Sequence, residues 1–295
     1  KGVSAGAIRG YTGYGVVGDS DVILVTVGTP LSSDFDADLS AIRDVFLNLS
    51  RHAKAGQIIM VKSTVPPGVT RKMAQEFFGD RDDIYFGFSP ERLAEGDAIT
   101  EFRSLPIIVG GVNQASSDRC AAFWENTLDV DVIQVSSCEA AEMVKLANNQ
   151  WIDLNVALAN EFAKLCDSLP FDLDVLEIIK GANSLKKGQH FVNILTPSIG
   201  VGGYCLTKDP WFLSALGERH GSPVRLPRVG RDVNDSMPEY SARRINAFFQ
   251  SRNVDLSSTK IAILGYSFKT NSGDVRFSPI EKFVEILFRE GYKNI

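Results

Sequence analysis

Cys205 ends the glycine-rich stretch Ser198-Ile-Gly-Val-Gly-Gly-Tyr-Cys205, and Leu206-Thr207-Lys208-Asp209-Pro210 follows it directly. A hydroxyl or carboxylate to cap free N–H groups, an acidic first turn and a proline near the first helical position are how a helix begins. A thiol at such an N-terminus, near the Lys208 ammonium, is expected to be part thiolate and therefore nucleophilic. Glycines 200, 202 and 203 free the backbone for positive φ and for close approach to a ligand. Asp209 lies about one turn beyond Cys205, so both could face one pocket. A buried structural cysteine needs none of these neighbours. Their coincidence points to covalent chemistry on an electrophile.

The rest of the chain has to position that thiol. At 295 residues and 44% hydrophobic, it can bury a large core and make more than one domain. A net charge of −5 with mixed signs argues against a general nucleic-acid binder. The cysteines at 120, 138, 166 and 205 show no CxxC or metal spacing and only three histidines accompany them, so no metal site is expected. Such cysteine usage suits a reducing, cytoplasmic setting. No apolar run reaches the ~20 residues that span a bilayer, and no signal peptide is apparent.

Apolar runs at 21–27, 57–62, 84–88, 106–109 and near 130–135 read as strands. Helices are expected between them: one from Asp38 or Ser40 with Leu39, Ile42, Val45, Phe46 and Leu49 inward, one ending at Phe78, and one over 115–126. Strand and helix in alternation predict a parallel, doubly wound α/β sheet that binds ligands in the loops after its strands. Those loops read Gly28-Thr29-Pro30, Ser63-Thr64-Val65-Pro66-Pro67-Gly68 and Ser89-Pro90-Glu91-Arg92-Leu93-Ala94-Glu95.

From Ser137 to about Asp167 the pattern is helical without proline or glycine, about 45 Å at 1.5 Å per residue. Met143, Ala147, Trp151, Leu154, Leu158, Phe162 and Leu165 mark its inner face, and Lys145 and Asn149 its outer one. Asp172 is expected to cap a short helix to Lys180. An irregular loop over 182–203 comes next, then helices over 210–220 and 238–251. The run 260–265, ending in glycine, and a helix from Pro279 to Glu290 read as the opening of a second Rossmann-like half.

The cysteine segment, the three loops in order and spacing, and Lys145-Leu-Ala-Asn-Asn149 resemble the UDP-glucose/GDP-mannose dehydrogenases, a family of nucleotide-sugar 6-dehydrogenases. The resemblance covers nearly the whole chain. It implies two Rossmann-like domains joined by a long central helix and a helical middle domain: NAD-binding at 1–136, central and dimerising at 137–255, and the start of a UDP-binding domain at 256–295. The glycines at 10–18 follow no apolar strand and so are not a dinucleotide fingerprint. The resemblance puts that fingerprint ahead of residue 1, and both ends read as cut.

The implied reaction is a four-electron oxidation of a sugar C6 alcohol to a carboxylate with two NAD reduced. Lys145, Asn149 and Asp209 hold a water or the alkoxide, with Asp209 able to take the proton. Cys205 captures the aldehyde as a thiohemiacetal that becomes a thioester. Glu91 is the base for hydrolysis, with Thr64 placing the water; a loop carboxylate bonding a backbone N–H is the competing reading for Glu91. Thr29, Pro30, Ser63, Thr64, Glu95 and Lys208 belong to the cofactor side. Arg92, Leu93 and Gly202 belong to the substrate, with Glu91, Lys145 and Asn149. Lys269 and Arg276 match the lysine and arginine of the half that grips the nucleotide diphosphate, Arg276 also reaching the cofactor.

Asp209-Pro210-Trp211-Phe212, with Val192-Asn-Ile-Leu-Thr-Pro197 and Val233-Asn-Asp-Ser-Met-Pro238 on either side, resembles the branch acting on UDP-N-acetylmannosamine or UDP-N-acetylglucosamine. Lys208 resembles the UDP-glucose branch instead, and Tyr204 stands where serine or histidine is usual. A homodimer across the long helix is implied as well. Two rivals share these residues: a β-hydroxyacid dehydrogenase, which needs the lysine and asparagine but no cysteine, and a non-catalytic nucleotide-sugar binder.

Overall fold

The computed structural model describes residues 6–295. They form two compact units, one reaching to Leu146 and the other spanning Ala147–Ile295.

The first unit is a five-stranded sheet, β1 (Val22–Val25), β2 (Ile58–Val61), β3 (Tyr85–Phe88), β4 (Ile107–Gly111) and β5 (Val132–Gln134), in that spatial order. Its helices are α1 (Ser40–His52), α2 (Val69–Phe78), the single turn α3 (Ala98–Glu101) and α4 (Gln114–Thr127). Along β2 the side chains alternate between two buried faces, which is why the strand reads as a continuous apolar run. Ile59 and Val61 join Ile42, Phe46 and Leu49 of α1 and Met73 and Phe78 of α2. Met60 points the other way, to Cys120 and Trp124 of α4. Phe78 meets Phe86 edge-on with ring centres 4.8 Å apart, and Phe46 meets Phe78 at 6.3 Å. The sheet is thus covered on both faces, as a doubly wound α/β fold requires.

One pairing departs from the expected all-parallel sheet. β1, β2 and β3 are parallel and so are β4 and β5, but β3 and β4 run antiparallel, Gly87 opposite Gly111. A parallel return needs a full crossover helix, and between β3 and β4 the chain builds only α3. Residues 89–106 therefore leave and rejoin the sheet at the C-terminal end of β3.

The long helix α5 covers Cys138–Ser168, close to the expected bounds, but its faces are reversed. Trp151 and Leu165 are 49% and 53% exposed, and Met143 and Leu158 also face outward. The buried line is Leu146, Asn149, Asp153, Ala157 and Asn160. Polar side chains can be interior when their hydrogen bonds are met, and these find partners far along the chain.

In the second unit α6 (Val175–Asn183) is capped by Asp174, whose Oδ1 accepts the Leu176 N–H at 2.8 Å, rather than by Asp172. The expected irregular loop contains a small hairpin, β6 (Lys186–Lys187) with β7 (His190–Phe191). α7 spans Asp209–Arg219. α8 runs over Leu226–Gln250, beginning well before the expected start at Pro238. Pro227 is preorganised for its first turn, and Arg231, Asn234, Met237 and Pro238 fall on its buried face. The run 260–265 makes no strand, only a parallel bridge between Lys260 and Asn294. α9 (Pro279–Arg289) starts on a Ser278 cap and packs Phe283, Ile286 and Leu287 against Ala242. Among the described residues no helix is long and apolar enough to cross a membrane.

Candidate active site

The expected residues divide between the two units. In the first, the loops after β1 and β2 are laced to each other through hydroxyls. Thr29 Oγ1 donates to the Thr64 carbonyl at 2.7 Å, and Ser63 Oγ donates to the Val27 carbonyl at 2.6 Å. These two side chains shape the loop and leave the ligand edge to Gly28, Pro30 and Thr64. Gly28 is exposed, and a Cβ built there would meet nothing within 4 Å. Open backbone at the C-terminal end of parallel strands fits a dinucleotide.

Glu91, at the end of β3, uses Oε1 to accept the Leu93 N–H at 2.9 Å, and its Oε2 lies 3.7 Å from Lys62 Nζ. Lys62 was not expected at the site. Its ammonium stands 5.0 Å over the Trp124 ring. Burial lowers its pKa, Glu91 opposes that, and the like charge of Lys145 adds to the lowering. Lys62 thus feels the charges of both Glu91 and Lys145. Arg92 donates to the Pro106 carbonyl, and burial lowers its pKa. Leu93 is half-buried beside it. Glu95 is exposed in a turn, and residues 91–94 before it have no regular structure. Behind the β2 loop, Glu142 of α5 accepts the N–H groups of Gly68 and Thr70 at 2.6 and 2.8 Å, closing the N-terminus of α2.

In the second unit the Cys205 carbonyl accepts the N–H groups of Lys208 and Asp209 at 3.2 and 2.9 Å, which places the cysteine one turn ahead of α7. Cys205 is exposed, whereas Cys120, Cys138 and Cys166 are buried. Burial pushes Cys120 and Cys138 up to about 12, leaving them inert as thiolates. Asp209 is fully enclosed: Oδ2 accepts from Asn149 Nδ2 at 2.5 Å and Oδ1 meets Lys208 Nζ at 2.5 Å. Asn149, expected on an outer face, is therefore interior. Lys208 is buried too, its ammonium 4.6 Å from the Phe212 ring centre and 5.4 Å from that of Tyr204. Its charge is committed to Asp209 and to two aromatic faces.

The glycines pack against the chain itself. A Cβ on Gly202 would lie 2.5 Å from the Phe277 carbonyl; Gly203, at φ +86°, would put one 2.8 Å from the Phe268 ring. Gly203 N–H also donates to the Arg276 carbonyl at 3.1 Å. The segment carrying Lys269 and Arg276 thus lies on the cysteine loop. Lys269 is half-buried; exposed Arg276 pairs with Asp274 at 2.5 Å and stands 5.3 Å over Tyr204.

Arg231, Asp153 and Asn160 were also not expected here, although polar residues at 149, 153 and 160 share one helical face, and that spacing was a legible signal. Asn160 Oδ1 accepts the Ser198 N–H at 2.8 Å, and its Nδ2 donates to Asn234 Oδ1 at 2.9 Å. Arg231 joins Asp153 at 2.8 Å.

Two family models match in chain order. The NAD binding domain of the UDP-glucose/GDP-mannose dehydrogenase family matches residues 2–128, and the central domain of that family matches 139–236. A UDP-N-acetyl-D-mannosamine dehydrogenase of Methanocaldococcus jannaschii is 33% identical over 93% of this chain and 61% of its own length. The chain thus spans about six tenths of the length of the curated relatives it matches. A UDP-D-ManNAc dehydrogenase structure from Pyrococcus horikoshii superposes with a TM-score of 0.88 at 33% identity, over 99% of this chain and 68% of that one. A UDP-glucose dehydrogenase structure from Pyrobaculum islandicum gives 0.85 at 25% identity, over 99% and 67%. With both domain models in register and a third of the residues shared across nearly its full extent, the chain belongs to the UDP-glucose/GDP-mannose dehydrogenase family.

Proposed function

We propose that this chain carries the NAD-dependent oxidation of the C6 hydroxyl of a UDP-N-acetylhexosamine, UDP-N-acetylmannosamine before UDP-N-acetylglucosamine, to the uronic acid through a cysteine thioester. The observation that carries the reading is the enclosed Asp209 held by Asn149 and Lys208, with exposed Cys205 one turn ahead of it. NAD, when bound, takes up a hydride at each of the two oxidations; Gly28, Pro30 and Thr64 form the loop edge that would hold it, with Thr29 and Ser63 fixing that edge from within.

The chain's own groups supply the rest. Lys145 stabilises the alkoxide, and Asn149 and Asp209 hold the water that relays its proton. The Cys205 sulfur adds to the aldehyde carbon, so that the second hydride leaves from a thiohemiacetal and a thioester remains. Glu91, held within 3.7 Å of Lys62, accepts the proton of the water that cleaves the thioester, and Thr64 positions that water. Arg92, Leu93, Gly202 and Lys269 bind the sugar nucleotide, while Glu95 and Arg276 belong to the cofactor side; buried Lys208, expected there too, acts instead by holding Asp209. The names of the mannosamine dehydrogenases among the relatives support the sugar. The outward apolar face of α5 supports a homodimer.

The test is stoichiometric. Full-length protein screened against UDP-N-acetylmannosamine, UDP-N-acetylglucosamine, UDP-glucose and GDP-mannose should prefer the first and yield two NADH per sugar. Cys205→Ser should stall at a covalent or aldehyde stage. One NADH per sugar in the wild type, or a serine variant indifferent to the change, overturns the cysteine mechanism.

A further inference from the structure

Gly202 and Gly203 seat the middle of the cysteine loop against Phe277 and Phe268, and the loop's two ends must be held as well to fix the sulfur. One guanidinium is placed to do so. Arg231, on the inner face of α8, is 2% exposed. Its Nη2 donates to the Val201 carbonyl and its Nη1 to the Leu206 carbonyl, each at 3.3 Å. Those carbonyls bracket Gly202, Gly203, Tyr204 and Cys205. Asp153 on Nη1 at 2.8 Å and Asp235 on Nη2 at 2.5 Å neutralise the charge and fix the plane of the fork. Asp153 is itself held, its Oδ1 accepting from Asn234 Nδ2 at 2.9 Å. Gly230 lets the helices close to this distance, since a Cβ there would stand 2.9 Å from Leu154 Cδ2.

We infer that Arg231 is the positioning residue for Cys205: by holding both ends of the four-residue loop through main-chain carbonyls, it sets where the sulfur stands for the second oxidation. A planar fork can serve two carbonyls and two carboxylates at once, and an ammonium cannot. The first oxidation makes no use of the sulfur, so the clamp acts on one half of the reaction and not on sugar-nucleotide binding. This inference rests on the cysteine mechanism proposed above.

The test compares full-length Arg231→Lys, Asp235→Asn and Cys205→Ser with the wild type. Asp235 is more than half exposed, so its variant folds even should the lysine variant not. Expected for Arg231→Lys are an unchanged KM for the UDP-sugar and a kcat lower by about 10²-fold, the scale of a misplaced reacting group. NADH yield should fall from two toward one per sugar, with aldehyde caught by hydroxylamine. Amide hydrogen exchange at residues 202–205 should quicken at least tenfold while α8 stays protected, and Asp235→Asn should shift each readout the same way. Folded variants that keep two NADH and wild-type exchange in the loop overturn the clamp, as does a loss of kcat that only tracks loss of folded protein. If Cys205→Ser itself gives two NADH, the cysteine mechanism has failed; if it stalls while both clamp variants behave as wild type, only the clamp has.

Discussion

Glu142 shows how a single buried carboxylate can set a pH dependence. It accepts two N–H groups at the start of α2, yet its burial outweighs them and holds its pKa up at about 7. A carboxyl whose folded pKa lies above the unfolded value near 4.5 binds its proton more tightly when folded. Its contribution to stability is therefore complete below the unfolded pKa and is lost as pH rises through the folded one. Glu142→Gln should flatten the fall in unfolding free energy between about pH 4.5 and 7, read from urea melts at several pH values; an unchanged slope would refute the assignment. Glu139, a turn away, behaves oppositely: Arg71 holds it down at about 2, so its contribution fades only under acid.

Among the elements, α5 is the rail on which the cysteine segment is hung. Asn160 reaches Ser198 N, Asp153 reaches Arg231, and Asn149 reaches Asp209, so three points of the segment or its clamp are fixed by one helical face. Nearby, Asn155 repeats the device, donating to the Asn193 carbonyl and accepting from Leu195 N at 2.7 Å each. Asn160→Ala removes a buried amide and leaves its two partners, Ser198 N–H and Asn234 Oδ1, unmet. That should cost about 1–3 kcal/mol, seen as a lower denaturation midpoint at unchanged m. A surface substitution such as Glu161→Ala, one residue on, should cost nothing measurable on the same assay, since Glu161 is exposed.

At the scale of the whole molecule, the exposed side of the same helix carries Trp151, Leu158 and Leu165, seven residues apart as in a helix–helix seam. The proposed homodimer would bury that seam. Trp151→Lys should convert dimer to monomer in sedimentation without unfolding the chain; a variant that sediments as the wild type does would place the dimer elsewhere or remove it.

The sequence by itself determined whatever local pattern controls: the apolar strands of the sheet, the three loops after β1, β2 and β3, the span of α5, and the thiol ahead of a helix begun by Asp209-Pro210. Strand period, proline and glycine act over a few residues, so they can be read without knowing what comes near. Only the tertiary structure decided which face of α5 is interior, because Asn149, Asp153 and Asn160 are stable inside solely through partners some forty to eighty residues away. It likewise decided the antiparallel β3–β4 pairing, the coupling of Lys62 to Glu91, and the reach of Arg231 to both ends of the cysteine loop. Hydrophobicity ranks a polar residue as outward, and long-range hydrogen bonding reverses that ranking once the chain has folded.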